Sequence, residues 1–127
     1  MKAVCLVLII AMSAVGSMVG NFTDMKDEKK IKELQDFCMT RLNQQTNSIY
    51  LKNVAKVVSA KQQVVSGMMY ELVLEVGMTA CRKSGSELLT DCEIDNNKPR
   101  ELCTFKVWEK SWENFRSIEK MECKPIE

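Results

Sequence analysis

Two stretches in the middle of the chain alternate between apolar and polar side chains, which is the pattern of β-strands. Residues 49–61 and 70–79 are both rich in Val, Leu, Tyr and Thr. In the second stretch one face carries Glu71 and Glu75, whereas the other face carries Tyr70, Leu72, Leu74, Val76 and Met78. The pattern predicts two long strands with one buried face, joined by a hairpin over residues 62–69.

The hairpin sequence differs from an ordinary turn because it is apolar. Turns normally carry Asn, Asp or Gly at the tip, but this one carries Val64 and Val65. Exposed valines cost hydration free energy unless a partner covers them. Gly67 supplies backbone angles that a residue with a Cβ resists. Two interpretations follow, a tip that a partner buries or valines that fold back onto the sheet, and both stay open.

Residues 24–45 show a helical period instead. Their apolar side chains form one stripe that consists of Ile31, Leu34, Cys38 and Leu42, with Phe37 beside it. Asp24, Asp27 and Glu28 precede the stripe, where negative charge suits a helix N-terminus. A helix with one apolar stripe must pack it against another element, and the strands offer the large apolar face. The sequence therefore predicts an α+β fold in which one helix lies across an antiparallel sheet.

A second hairpin is predicted near the C-terminus. Residues 103–107 alternate inward and outward, and residues 115–123 can return beside them. The tip between them is Ser-Trp-Glu-Asn and carries Trp112. A tryptophan at a turn often packs on its own sheet, but two apolar tips in one small domain strengthen the interpretation that a partner covers them.

Composition narrows the classes of function. The chain has 127 residues with 18 basic and 17 acidic side chains, which suits one domain and argues against nucleic acid or anionic membranes as partners. It contains no histidine, which removes Cys-His and Ser-His nucleophiles and His-based zinc sites. No carboxylate pair stands in a recognisable catalytic motif. We therefore expect no enzyme, no metal site and no cofactor.

The N-terminal residues 1–16 have the layout of a secretory signal peptide, with a basic start, an apolar run and small residues at the end. The run is shorter than the ~20 residues that a membrane span needs. We expect cleavage after Gly16, with cleavage one residue later as the alternative, and a secreted, extracellular domain of residues 17–127. Asn21 begins an Asn-Phe-Thr sequon and is a candidate glycosylation site.

The cysteines agree with an oxidising compartment. Of the six, Cys5 leaves with the signal peptide, and four lie in the C-terminal half, at Cys81, Cys92, Cys103 and Cys123. Four cysteines allow three connectivities, and the absence of a close Cys-x-x-Cys pair favours disulfides over zinc. Residues 82–102, which lie between Cys81 and Cys103, have the composition of a surface excursion, a long loop outside the sheet. Cys38 lies on the helical stripe, where a buried thiol needs no partner.

Taken in order, these elements resemble a secreted type 2 cystatin over essentially all of residues 17–127. The matching segments are the trunk Met18-Val19-Gly20, the hairpin Gln63-Val64-Val65-Ser66-Gly67, the four later cysteines and Trp112. The resemblance implies a sheet of five antiparallel strands wrapped around one long α-helix. It also implies the disulfides Cys81–Cys92 and Cys103–Cys123. Ser111 departs from the family, which usually has proline there, and leaves the second hairpin less rigid.

The resemblance further implies reversible, competitive inhibition of papain-like cysteine proteases of the cathepsin L, S and B type. The trunk and the two hairpins would form one wedge that blocks the active-site cleft without reacting in it. Gly20 would turn the chain away from the catalytic cysteine, so that no peptide bond is presented for attack. The residues that would contact the protease are Met18, Val19, Gly20, Gln63, Val64, Val65, Ser66, Gly67, Ser111 and Trp112.

Asn47 suggests a second activity. The segment Thr46-Asn47-Ser48 resembles the loop with which some secreted cystatins inhibit legumain, an asparaginyl endopeptidase, and Asn47 would enter its specificity pocket. An Asn after a helix is also a common cap or turn residue, so this interpretation and the functional one both stay open.

Two alternative functions remain. One is a signalling or toxin-like disulfide domain, for which nothing specific in the sequence speaks. The other is a non-inhibitory secreted binding module on a cystatin scaffold, with a reproductive or defence role. The intact trunk and hairpin motifs argue against it. We expect a monomer, and a domain-swapped dimer remains open because a hairpin with strained valines could open and exchange.

Overall fold

The computed structural model describes residues 20–126. The elements in chain order are β1 (Thr23–Asp24), α1 (Glu28–Gln45), β2 (Tyr50–Val65), β3 (Gly67–Arg82), a 3-10 turn (Leu89–Asp91), β4 (Glu101–Lys110), a second 3-10 turn (Ser111–Glu113) and β5 (Phe115–Pro125). The strands form one antiparallel sheet in the order β1-β2-β3-β4-β5. The expected signal peptide and the trunk residues Met18 and Val19 lie outside the described residues. The predicted fold class, a five-strand antiparallel sheet with one helix, is confirmed.

The helix α1 begins later than the acidic pattern predicted. Its N-cap is Asp27, whose carboxylate accepts hydrogen bonds from the backbone N–H groups of Lys29 and Lys30 at 3.1 and 3.2 Å. Asp24 belongs instead to β1, where it pairs with Lys61 of β2. A side-chain cap stabilises a helix by about 1 kcal/mol, so the capping residue fixes the start of the helix.

The core lies between one face of α1 and the inward faces of β3 and β4. The helical stripe contributes Leu34, Cys38 and Leu42 as predicted, together with Met39, which the pattern had left out. The sheet contributes Tyr70, Leu72, Leu74, Val76, Cys103, Phe105 and Val107. Burying one such aliphatic side chain contributes about 1.5–3 kcal/mol, so this layer is the main source of stability.

The first hairpin is tighter than predicted. Strand pairing continues through Gln63↔Met69 and Val65↔Gly67, so that Ser66 alone lies outside the two strands. The prediction that the strands end at residue 61 and resume at residue 70 is therefore wrong. Gly67 has a φ of 90°, which allows the chain to reverse in so little space. Register shifts in the first two thirds of β2 bend that strand.

Two disulfides tie the C-terminal half of the described chain. They join Cys81 to Cys92 and Cys103 to Cys123, with Cα atoms 5.9 and 4.0 Å apart. This is the pairing that the resemblance implies. The first disulfide holds the excursion between β3 and β4 against the sheet, where the Asn53 amide donates to the backbone oxygens of Leu89 and Cys92, each at 2.9 Å.

Candidate functional site

Three segments meet at one end of the sheet. They are the chain at Gly20, the β2–β3 turn at Ser66 and the β4–β5 turn at residues 111–114, and we call this surface the hairpin end. The Gly20 N–H donates to the Val64 oxygen at 3.3 Å, and the Gln63 amide donates to the Gly20 oxygen at 2.7 Å. A Cβ on residue 20 would stand 3.3 Å from that same Val64 oxygen. Glycine therefore lets the chain lie directly against the first hairpin.

The two hairpins also contact each other. The indole N–H of Trp108 in β4 donates to the backbone oxygen of Ser66 at 2.8 Å. A Cβ on Gly67 would collide with the backbone oxygen of Glu109 and stand 2.9 Å from Cγ of Lys110. Only glycine allows both the positive φ and this approach. The spacing of the two turns is therefore fixed by backbone contact.

The tips of both hairpins present apolar side chains to solvent. Val64 is 63% exposed and Trp112 is 66% exposed, whereas Val65 is half-buried. Neither Val64 nor Trp112 folds back onto the sheet, which answers the question that the pattern left open for these two side chains. The second turn is closed by Asn114 in the left-handed region at φ 54°, with its N–H donating to the Ser111 oxygen at 3.1 Å.

Sequence reasoning missed the side chains that hold the hairpins together. Trp108 and Phe115 meet edge to face with ring centroids 5.5 Å apart, and the Lys110 ammonium lies 4.4 Å from the Trp108 centroid. The alternation of β4 could have revealed Trp108, because Phe105 and Val107 point inward and their neighbours point away from the helix.

A second missed feature is a cluster of four charges between α1 and the last two strands. It consists of Lys30, Glu33, Glu109 and Arg116, and we call it the ion cluster. The Lys30 ammonium lies 2.7 Å from the Glu109 carboxylate and 3.0 Å from that of Glu33. Arg116 bonds to both carboxylates. The signal in the sequence was a carboxylate on the inward register of β4, which requires a partner.

The ion cluster keeps its carboxylates charged. Burial would raise the pKa of the Glu109 carboxyl, but the hydrogen bonds from Lys30 and Arg116 outweigh burial and lower that pKa below its ordinary value of 4.5. Hydrogen bonds from the same two cations lower the pKa of Glu33. The cluster is therefore fully ionised at neutral and mildly acidic pH.

Asn47 lies at the opposite end of the sheet. It is exposed in the loop between α1 and β2, and β2 runs from that loop to the hairpin end. The Lys83 ammonium holds the loop by donating to the Thr46 backbone oxygen at 2.7 Å and to its hydroxyl at 2.8 Å. The structure therefore does not bring Asn47 together with the other candidate residues. Asn21 is exposed beside Gly20.

Over residues 20–126, no group of three or more His, Cys, Asp or Glu side chains is arranged to hold a metal ion. In the same range, no helix has the length and apolar character needed to cross a membrane.

Comparison with known proteins identifies the family. The Cystatin domain model matches residues 20–112. Cystatin-1 of Chilobrachys guangxiensis is 31% identical over 128 aligned positions, covering 98% of this chain and 96% of that protein. A cystatin of Oncorhynchus keta is 34% identical and covers 96% of each chain. The crystal structure of Al-CPI shares 36% identity and a TM-score of 0.77, over 84% of this chain and 100% of that one. The chain therefore belongs to the cystatin family, whose members inhibit cysteine proteases and are not enzymes.

Proposed function

We propose that this chain is a secreted, reversible and competitive inhibitor of papain-like cysteine proteases that blocks the active-site cleft with its hairpin end. The observation that carries the proposal is the juxtaposition of Gly20 and the two turns, with Val64 and Trp112 exposed at the tips. Apolar side chains on a preformed surface lose little conformational entropy on binding. Buried aromatic anchors contribute a large share of the binding free energy.

The contacts of Gly20 support a way in which such an inhibitor would escape cleavage. The backbone of this residue is bonded to Val64 through its N–H and to Gln63 through its oxygen. We propose that Met18 and Val19 enter the non-primed subsites and that both turns cover the primed side. The chain held at Gly20 then leaves the cleft at the catalytic cysteine, so that no scissile bond is aligned for attack.

The test is a titration of papain and cathepsin L with the domain of residues 17–127. We expect the apparent inhibition constant to rise linearly with substrate concentration, and protease activity to return on dilution. Gly67→Ala should weaken inhibition at least about 30-fold, equivalent to ~2 kcal/mol, because the new Cβ separates the two hairpins. The matched control is Gly85→Ala in the excursion, whose nearest obstacle is the flexible Glu87 side chain.

If the wild-type domain leaves both proteases fully active at micromolar concentration, the proposed function is wrong. The non-inhibitory binding module on a cystatin scaffold would then be the better interpretation. A Gly67→Ala variant that inhibits as well as Gly85→Ala would instead remove the hairpin end from the mechanism.

A second candidate function is inhibition of legumain through Asn47. It is supported by the exposure of this residue and by the bonds from Lys83 that fix its loop. A loop held in one conformation loses less entropy when a protease binds it.

The proposed function also includes secretion and removal of the N-terminal segment. We propose that residues 1–16 direct secretion and are removed, and that the mature domain is a monomer which can exchange elements through the Ser66 turn. N-terminal sequencing and the intact mass of the secreted protein test the cleavage after Gly16. The same mass spectrum, before and after removal of N-glycans, tests Asn21.

A further inference from the structure

The ion cluster connects three elements at a single point. Lys30 and Glu33 belong to α1, Glu109 to β4 and Arg116 to β5. Each carboxylate accepts hydrogen bonds from both cations, and the Arg116 Nε lies 2.7 Å from the Glu109 carboxylate. Contacts shared in this way restrict α1, β4 and β5 together rather than in pairs.

The cluster is partly withdrawn from water. The Glu109 side chain is only 13% exposed, whereas both members of the surface pair Lys32–Asp36 are more than half exposed. Exposed pairs contribute little to stability, but removal of one partner from a shielded pair leaves an uncompensated charge and costs more. The position of Glu109 is therefore strongly constrained by α1.

Glu109 also touches both hairpins through its backbone. It pairs with Met68 of β3 and Arg116 of β5, and its oxygen faces Gly67 so closely that a Cβ there would collide with it. Two residues further along the chain, Ser111 begins the turn that presents Trp112. A displacement of Glu109 would therefore move the two turns relative to each other.

We propose that the ion cluster is a positioning device, in which Lys30 holds Glu109 and thereby sets the relative position of the two turns of the hairpin end. The proposal rests on the proposed function, since it is the protease that makes this position matter. Lys30 and Glu109 are positioning residues and do not contact the protease. The charged state of both carboxylates at mildly acidic pH supports the proposal.

The test compares Lys30→Met with Lys32→Met. Both substitutions remove one positive charge from α1, but Lys32 bonds only to Asp36. We expect Lys30→Met to raise the inhibition constant for papain about tenfold, while Lys32→Met changes it less than twofold. Lys30→Arg keeps the cation and should restore inhibition to within about threefold of wild type. Equal inhibition constants for the two methionine variants would overturn the proposal.

A double-mutant cycle separates positioning from a general effect on stability. If Lys30 acts through the second turn, the tenfold effect of Lys30→Met should shrink to less than about threefold when Trp112 is already alanine. An undiminished tenfold effect in the Trp112→Ala background would show that Lys30 acts elsewhere and would overturn the proposal.

Hydrogen exchange in the free protein gives a readout that does not depend on any protease. We expect Lys30→Met to accelerate exchange of the Asn114 amide, which closes the second turn, about tenfold relative to the buried Phe105 amide. Equal acceleration at both amides would indicate global destabilisation and overturn the proposal. If wild type fails to inhibit papain but this differential exchange is observed, the proposed function fails and the positioning device stands.

Discussion

The two tryptophans of the chain differ in their contacts: one is bonded within the molecule and the other is exposed to solvent. Trp108 donates its indole N–H to Ser66 and packs edge to face on Phe115, so it joins the two hairpins within the molecule. Trp112 lies four residues further on and is 66% exposed. One indole therefore organises the hairpin end, and the other is available to a partner.

Trp112→Ala should weaken papain inhibition at least about 30-fold, equivalent to ~2 kcal/mol, because it removes an aromatic anchor. The control is Leu88→Ala, which truncates a side chain of similar exposure, 69%, in the excursion at the other end of the sheet. Ser111→Pro should change the inhibition constant less than Trp112→Ala in either direction, because proline only restricts the loop. An unaltered inhibition constant for Trp112→Ala would show that the side chain of Trp112 at the second turn does not contribute to papain inhibition.

The ion cluster makes stability depend on pH. The folded-state pKa of Glu109 lies below its unfolded value, so its contribution is complete above about pH 4.5 and is lost as the pH falls through the folded pKa. Burial would lower the pKa of Lys30, but the hydrogen bonds that it donates to Glu109 and Glu33 outweigh burial and raise that pKa. The contribution of Lys30 to stability is therefore complete below pH 10.5 and is lost as the pH rises through the folded-state pKa.

Urea unfolding of wild type and Glu109→Gln should therefore show a free-energy difference that is constant between pH 7 and 5. The difference should shrink as the pH falls from 4.5 through the folded-state pKa of Glu109, because over this range the unfolded wild-type carboxyl binds a proton more readily than the folded one. Glu122→Gln, on the exposed part of β5, serves as the control. A difference that grows as the solution is acidified would contradict the assignment of a lowered pKa to Glu109.

At the scale of elements, periodicity predicted the helix, the strands and their buried faces, but not their limits. Asp24 and Asp27 are equivalent helix starters in the sequence, and only the sheet, which pairs Asp24 with Lys61, decides between them. The predicted ends of the strands were wrong for a related reason. Residues 62–65 lack a clear alternation, yet they continue the ladder because the turn at Ser66 closes tightly.

The helix α1 also carries a thiol that reports on its packing. Cys38 is the free cysteine of residues 20–126, has no exposed surface, and burial raises the pKa of its thiol to about 12. We expect one reactive thiol per mature chain, labelled by a disulfide reagent within minutes in denaturant and at least about a hundredfold more slowly in the native protein. Cys38→Ala should abolish labelling. Rapid reaction of the native protein would place Cys38 at the surface instead.

At the scale of the whole molecule, the sequence predicted the layer of one helix on a five-strand sheet and most of the residues now placed at the hairpin end. The ion cluster escaped prediction because Lys30 and Glu109 are 79 residues apart and meet only after the helix packs on the sheet. The bond from Trp108 to Ser66 escaped for the same reason. Contacts between distant residues depend on the packing of elements, which periodicity does not describe.

The two proposed inhibitory activities should be separable because they lie at opposite ends of β2. Its 16 residues would span about 50 Å if straight, and less with the bends of this strand. Asn47→Ala should abolish legumain inhibition without changing papain inhibition, and Gly67→Trp should do the reverse. Titrations of both proteases with each variant check this. If wild type does not inhibit legumain, Asn47 is a turn residue and the second activity is absent.

Within residues 20–126, both disulfides lie beyond Ser66 in the chain. The helix and β2 are therefore joined to the remainder by one covalent link, the turn at Ser66, although β2 and β3 pair from Tyr50↔Arg82 to Val65↔Gly67. A nick at this turn should leave two fragments that stay associated through the ladder and the core. We expect separately produced fragments of residues 17–66 and 67–127 to reassemble, and size-exclusion chromatography to show one complex. The fold would then behave as a pair of complementary halves, with the trunk on one and Trp112 on the other.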